Sequence, residues 1–198
     1  MKLLLHSCCG PCSIIPLQEL KAEGHEIRGF FYNPNIHPYT EFQKRLDTFT
    51  RYAAKKEVPV ILDEQYHLEE YLRQIAFREG ERCRICYGMR LQRAAQIAKK
   101  GGFEAFTTTL LVSPYQKHQL IADIGAAIGE ETGVPFLYRD YRPLYKEGVR
   151  ISREEEMYRQ PYCGCIYSER ERYQAKKKKV LENQGGDPHK YDDNPRIY

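Results

Sequence analysis

Residues 3–17 read "LLLHSCCGPCSIIPL", and they decide the fold class. The apolar run Leu3–Leu5 ends in polar His6 and Ser7 and reads as a short strand. A tight turn at Gly10-Pro11 follows, then apolar residues at Ile14, Ile15, Leu17 and Leu20 and a stop at Gly24, the pattern of a helix. Strand, loop, helix is the opening unit of an α/β protein. Its first loop is where such proteins place their ligand-binding glycines, yet here it holds Cys8, Cys9 and Cys12.

Working outward, "EIRGFFY" (26–32), "VPVIL" (58–62), "FEAFTTTLL" (103–111) and "VPFLYRD" (134–140) read as further strands. Helical composition separates them at 39–57, at 67–100 with an interruption near "EGERCRIC", and at 119–131. This alternation predicts a five-stranded parallel sheet covered by helices. Ligands in such sheets bind at the carboxyl ends of the strands. The CCGPC loop, "NPNIHP" (33–38), "LVSPYQKH" (111–118) and "YRDYRP" (138–143) therefore share one edge. The expected organisation is a single α/β domain over residues 1–175, with a helical region at about 64–100. A polar tail without periodicity follows from 176 to 198.

The totals exclude several classes. With 198 residues, 41% hydrophobic and 29% charged, the chain suits a globular domain. Its longest apolar runs fall far short of the ~20 residues that cross a bilayer. "MKLLLHSCC" has too short an apolar stretch for a signal peptide, so the expectation is a cytoplasmic protein with no membrane partner. Net charge is only +4, but "RCRICYGMRLQR" (82–93) and "RERYQAKKKK" (170–179) are locally basic, and sixteen tyrosines accompany them. Such a surface can hold phosphates and stack bases.

Seven cysteines, an odd number, fall in three tight groups rather than spreading as disulfide staples. In a reducing compartment that favours metal or redox chemistry. Cys8 and Cys9 stand at a helix start, where backbone amides and the helix dipole favour thiolate. Cys83 and Cys86 are three apart, on one side of a turn or helix, a spacing common to zinc and iron–sulfur sites. Cys163 and Cys165 flank Gly164; they can ligate metal or form a strained, easily reduced disulfide. Four thiolates complete a Cys₄ set for zinc or iron–sulfur alike. The surplus thiols lean toward redox work.

"HSCCGPCS" (6–13), "FFYNPNIHPYTEFQKR" (30–45), "CRICYGMRL" (83–91), "FTTTLLVSPYQKH" (106–118) and "YRQPYCGCIYSE" (158–169) together resemble the cobalamin-independent epoxyqueuosine reductases, the QueH family. The resemblance spans about residues 2–170. Gly10 stands where alanine is more usual, and the C-terminal tail carries no matching motif. The resemblance implies the last step of queuosine synthesis on tRNA: an epoxide on the modified wobble base loses its oxygen, consuming two electrons and two protons. It also implies a fold similar to the adenine nucleotide alpha-hydrolase-like (HUP, PP-loop) group. Relatives there bind pyrophosphate on an S-G-G-x-D-S loop. Here that loop reads Ser7-Cys8-Cys9-Gly10-Pro11-Cys12-Ser13, so phosphate binding is traded for metal binding.

On this resemblance Cys8, Cys9, Cys83 and Cys86 are expected to hold a [4Fe–4S] cluster, and Cys163 and Cys165 to form a redox-active pair. Cys12 either ligates a second, single iron or packs as a small buried residue. No cobalamin is expected, and a ferredoxin or flavodoxin is the expected electron donor. His37, His118 and Asp140 are the candidate proton-handling groups. Tyr32, Tyr39, Tyr115 and Tyr162 are candidates to stack on the base, and Asn33, next to Tyr32, is a further substrate-binding candidate. Lys117, Arg142 and Arg159 are candidates for tRNA phosphates. Two rivals stand beside this reading: a tRNA sulfur transferase of the PP-loop type, which needs the S-G-G-x-D-S loop, and an RNA-binding module with structural zinc.

Overall fold

In the computed structural model the backbone is described for residues 1–183 and the side chains for residues 1–174. Four parallel strands form the sheet: β1 (Lys2–His6), β2 (Glu26–Phe31), β3 (Val60–Leu62) and β4 (Ala105–Thr108), in the order β3-β2-β1-β4. β1 is central, with Leu4 opposite Arg28 of β2 on one side and Phe106 of β4 on the other. A central parallel strand is buried on both faces, which is why Leu3–Leu5 can be continuously apolar. None of the three has measurable exposure.

Helices α1 (Gly10–Ala22), α2 (Tyr39–Lys55), α3 (Leu68–Ile75), α4 (Arg82–Lys100) and α5 (His118–Thr132) connect and flank the strands. α6 (Tyr145–Glu154) and α7 (Ile166–Asn183) follow the sheet. α1 packs on α2 and α6, whereas α4 packs on α3, α5 and the β1–β4 pair. The break in the long helical region falls at residues 76–81. Ala76 leaves the helix in an extended conformation, Phe77 turns left-handed (φ 59°), and Glu79–Glu81 makes one 3₁₀ turn. Cys83 and Cys86 thus lie three apart at the N-terminal end of α4.

The sheet has four strands where the sequence predicts five. Residues 134–140 reach the outer edge of β4 but form a single parallel bridge, Phe106 with Phe136. Phe106 N–H donates to Pro135 O (3.0 Å) and Leu137 N–H to Phe106 O (2.8 Å). The next carbonyl, that of Leu137, accepts from the Thr107 hydroxyl at 2.7 Å, a side-chain bond that ends the pairing. Of the expected tail, residues 176–183 continue the backbone of α7, and 184–198 lie outside the described residues.

Gly125 of α5 sets how closely that segment approaches. A Cβ there would lie 2.3 Å from the Phe136 ring, and Phe136 in turn packs on Phe106, their centroids 5.2 Å apart. Helix propensity alone favours Gly125→Ala by about 1 kcal/mol. The overlap costs about 1–3 kcal/mol and is expected to prevail. Urea denaturation should show Gly125→Ala less stable than the native chain; a more stable variant would show that Phe136 does not seat there.

Candidate active site

The first loop gathers its thiols at the carboxyl end of β1. Cys8 N–H donates to Thr109 Oγ1 (3.1 Å), and that hydroxyl lies 3.4 Å from Cys8 Sγ, to which it donates. The sulfurs of Cys8, Cys9 and Cys12 all lie within 4.8 Å of one another, Cys8 and Cys9 at 3.7 Å. Three thiols so close can hold a metal ion. Between them they favour one negative charge, on Cys8. Hydrogen bonds from the Cys12 and Cys9 thiols, aided by Arg90 and Thr109, hold Cys8 well below the ordinary thiol range. Burial pushes Cys9 up, and the bond to Cys8 pushes Cys12 up. Gln160 Nε2 donates to Cys12 Sγ at 3.2 Å from the opposite wall.

The second group is built on α4. Burial raises both Cys83 and Cys86, the latter to about 12. One turn on, Arg90 is buried with its guanidinium 3.7 Å from Cys86 Sγ and 2.6 Å from Asn33 Oδ1. Asn33 passes the link on, its Nδ2 donating to Ser7 O at 3.0 Å. His6, from β1, completes this support. The Tyr32 carbonyl can only accept, so His6 Nε2 donates to it (3.1 Å), and in the neutral ring Nδ1 accepts from the Thr108 hydroxyl (2.8 Å). Burial lowers His6 to about 3, so it is neutral.

The third group sits on a clamped loop. Gly164 adopts φ +117°, and a Cβ there would meet Ile36 at 2.9 Å. Arg45 reaches in from α2 with only 1% of its surface exposed. It donates to Cys163 O (3.0 Å), Tyr162 O (2.9 Å) and Glu41 Oε1 (2.7 Å). His37 N–H donates to Gly164 O (2.8 Å), and the Tyr162 hydroxyl donates to His37 O. Cys163 is exposed and Cys165 buried, and both are free thiols.

These parts line two adjoining cavities. One, of about 390 Å³, has Cys83, Cys86, Cys163 and Cys165 in its wall, together with Lys117 and Arg90. The other, of about 330 Å³, is lined by Cys8, Cys12, Cys163, Arg45 and Arg159. Cys163, Tyr115 and Tyr162 border both. Several expected residues stand elsewhere. Asp140 and Arg142 pair with each other (2.6 Å), line neither cavity, and the pairing lowers Asp140 to about 2. Tyr32 turns its ring toward Phe30 and His67 and donates to Glu70. Asn33 is held by Ser7 and Arg90. His37 lies behind the Cys163–Cys165 loop, and His118 binds Ser113 O at 3.0 Å. The sequence reading missed Arg45, Arg90, Thr109 and Tyr71. Arg90 follows Cys83 and Cys86 at helical spacings of seven and four, the one pattern that could have revealed it.

Comparison with known proteins places the chain beside one family. The family model described as "Epoxyqueuosine reductase QueH" matches residues 3–171. A protein of that name from Dehalococcoides mccartyi is 40% identical over 172 residues, covering 87% of this chain and 94% of its own. One from Thermotoga maritima is 38% identical over 180 residues, covering 86% and 91%. A solved structure from Methanocaldococcus jannaschii, described as a predicted subunit of tRNA methyltransferase, is only loosely alike. Its TM-score is 0.48 and its identity 13%, with 98% of this chain and 94% of that one covered. With a family match over nearly all of its described length, the chain belongs to the epoxyqueuosine reductase QueH family.

Proposed function

We propose that this chain is an oxidoreductase that reduces epoxyqueuosine to queuosine at the wobble position of tRNA, without cobalamin. The family supplies the substrate. The observation that carries the chemistry is the convergence of thiols from three distant segments on two cavities that share Cys163. The deoxygenation takes two electrons and two protons and releases water. The sulfur-transferase alternative lacks its phosphate loop, since thiols stand where S-G-G-x-D-S would be.

The donor set fits an iron–sulfur cluster. The seven thiols are free, and buried Arg45 and Arg90 offer positive charge against thiolates. Arg90 lies against Cys86 and also acts electrostatically on Cys8, so the first loop and α4 face one guanidinium. We assign a [4Fe–4S] cluster to Cys8, Cys9, Cys83 and Cys86, a second, single iron to the neighbourhood of Cys12, and the redox pair to Cys163 and Cys165. When bound, such a cluster supplies electrons one at a time. We assign Tyr115 and Tyr162, on the shared wall, to stacking on the unpaired base, and Lys117 and Arg159 to the phosphates. A ferredoxin or flavodoxin supplies the electrons in the cytoplasm. No helix among the described residues is long and apolar enough to cross a membrane.

Among the three acid candidates the side chains differ in what they can donate. Asp140 is ionised at neutral pH. His118 spends Nε2 on Ser113 O, leaving Nδ1 as a bare buried acceptor. His37 faces the Tyr66 hydroxyl through Nδ1 at 2.9 Å, and its buried Nε2 has no partner among the described residues. With Tyr66 donating, Nε2 carries the hydrogen of a neutral ring, since burial keeps His37 uncharged. We assign His37 to hold that Nε2 hydrogen as a hydrogen-bond donor rather than to release it as an acid.

Two outcomes test this reading. The anaerobically purified, chemically reduced chain should convert epoxyqueuosine to queuosine in tRNA in cobalamin-free buffer, read by mass spectrometry of the digested nucleosides. Cys163→Ser and Cys165→Ser should each lower multiple turnover on the order of 10²-fold; full turnover in either variant contradicts the redox-pair role. The second outcome follows from His37, which burial lowers to about 4. The unfolded chain binds that proton from about pH 6.5 downward, the folded chain only near 4. Stability is therefore lost as pH falls from about 6.5 to 4. The slope of melting temperature against pH in that window should be shallower in His37→Gln than in the native chain. Equal slopes would show that His37 is not held neutral.

A further inference from the structure

The two sulfurs of the Cys163-Gly164-Cys165 loop stand in opposite surroundings. Cys163 is exposed and borders both cavities, whereas Cys165 is buried at 5% exposure. Their hydrogen bonds also differ in direction. Ser168 Oγ gives its own proton to Cys165 O (2.8 Å) and accepts from the Cys163 thiol (2.9 Å), so it has no proton left for a Cys163 thiolate. Tyr71 does the reverse for Cys165. Its side chain is fully buried, and its hydroxyl donates to Cys165 Sγ at 3.3 Å. The ring is held there by packing against the His37 ring, 5.4 Å between centroids. A donor aimed at one sulfur of a pair stabilises the thiolate of that sulfur.

We propose that Tyr71 is a positioning residue that fixes the order of thiol–disulfide exchange in this pair, with Cys163 the sulfur attacked and Cys165 the leaving thiolate. The proposal rests on the redox-pair reading above. Starting from the Cys163–Cys165 disulfide, and with dithiothreitol as the dithiol that probes the pair, one of its thiolates attacks Cys163 Sγ. The S–S bond breaks, and its electron pair leaves on Cys165 Sγ, beneath the Tyr71 hydroxyl. The reductant's second thiolate then attacks its own sulfur in the mixed disulfide and releases Cys163 as thiolate. Two electrons have passed from the dithiol, now a disulfide, to the cysteine pair. Of the two protons the dithiol gave up, one returns to Cys163 and one goes to solvent. Because the leaving-group thiolate is stabilised, both the rate of opening and the reduction potential depend on Tyr71. Exposure dictates the order independently, since an incoming thiolate needs access to the sulfur it attacks.

The experiment uses the full chain, with folding of each variant checked by circular dichroism. Mild oxidation of the native chain should give a Cys163–Cys165 link on peptide mass mapping. Absence of that link removes the redox pair itself, and the proposal with it. Where the link forms, Tyr71→Phe should shift the equilibrium with dithiothreitol toward the protein disulfide by about tenfold, a potential more negative by about 30 mV. It should slow opening of the disulfide by a similar factor. Glutathione disulfide should label Cys163 in Cys165→Ser and leave Cys165 unlabelled in folded Cys163→Ser. An unchanged equilibrium constant in Tyr71→Phe, or labelling at Cys165, overturns the proposed order while leaving the pair intact.

Discussion

Two buried guanidiniums, Arg45 and Arg90, are the constraint from which the rest of this structure follows. A cation removed from water costs several kcal/mol unless it finds hydrogen-bond acceptors and negative charge. Arg45 finds Glu41 and the carbonyls of Tyr162 and Cys163; Arg90 finds Asn33 and Cys86. Each therefore ties a helix to a loop, α2 to the Cys163–Cys165 loop and α4 to the loop after β2. Removing either acceptor set would strand a charge in the core. The arginines thus hold the thiol-bearing segments in register, and the thiols give the arginines a reason to be buried.

The parallel sheet supplies the other half of the arrangement. With β1 central, the loops after β1, β2 and β4 emerge on one edge, and α4 delivers Cys83 and Cys86 to the same place from its N-terminal end. Thr108 and Thr109 at the end of β4 bond to His6 and Cys8 at the end of β1. Neighbouring strands thereby align the first cysteine loop. The third cysteine group comes from outside the sheet and needs the most restraint. It has it: Arg45, the His37 amide and the Tyr162 hydroxyl pin successive residues of that loop. Opposed environments on Cys163 and Cys165 follow from this pinning rather than from the cysteine spacing.

Much of this was legible in the sequence, and the exceptions have physical causes. β1 to β4 read correctly because buried parallel strands are short apolar runs bounded by turns. Residues 134–140 read the same way, but a side-chain hydrogen bond from Thr107 closes the ladder after one bridge, which composition does not reveal. α6 and α7 are rich in charge; α6 is amphipathic but buries only Gly148 and Ser152, so no apolar run announces it, and the helical pattern of α7 is weak. In the site, cysteines announce themselves by type, whereas an arginine on a helix reads as solvated. Arg45 could be suspected only from its place among Phe42, Leu46 and Phe49. Asp140 and Arg142 were expected near the site, yet two residues apart in a loop they satisfy each other. Tyr32 and Asn33 follow β2 side by side and diverge, one ring turning to Phe30 and His67, the other side chain turning in to Arg90.

We propose that thiols distant in the chain form one iron–sulfur centre, with the first loop and α4 sharing the ligands. Iron and acid-labile sulfide content of the anaerobically purified chain, compared with its Cys83→Ser and Cys12→Ser variants, tests it most directly. About four irons and four sulfides per chain are expected, plus a single iron beside Cys12. The sulfide should be lost in Cys83→Ser and retained in Cys12→Ser. One equivalent of zinc without sulfide, or a Cys83→Ser variant that keeps its full cluster, would contradict it.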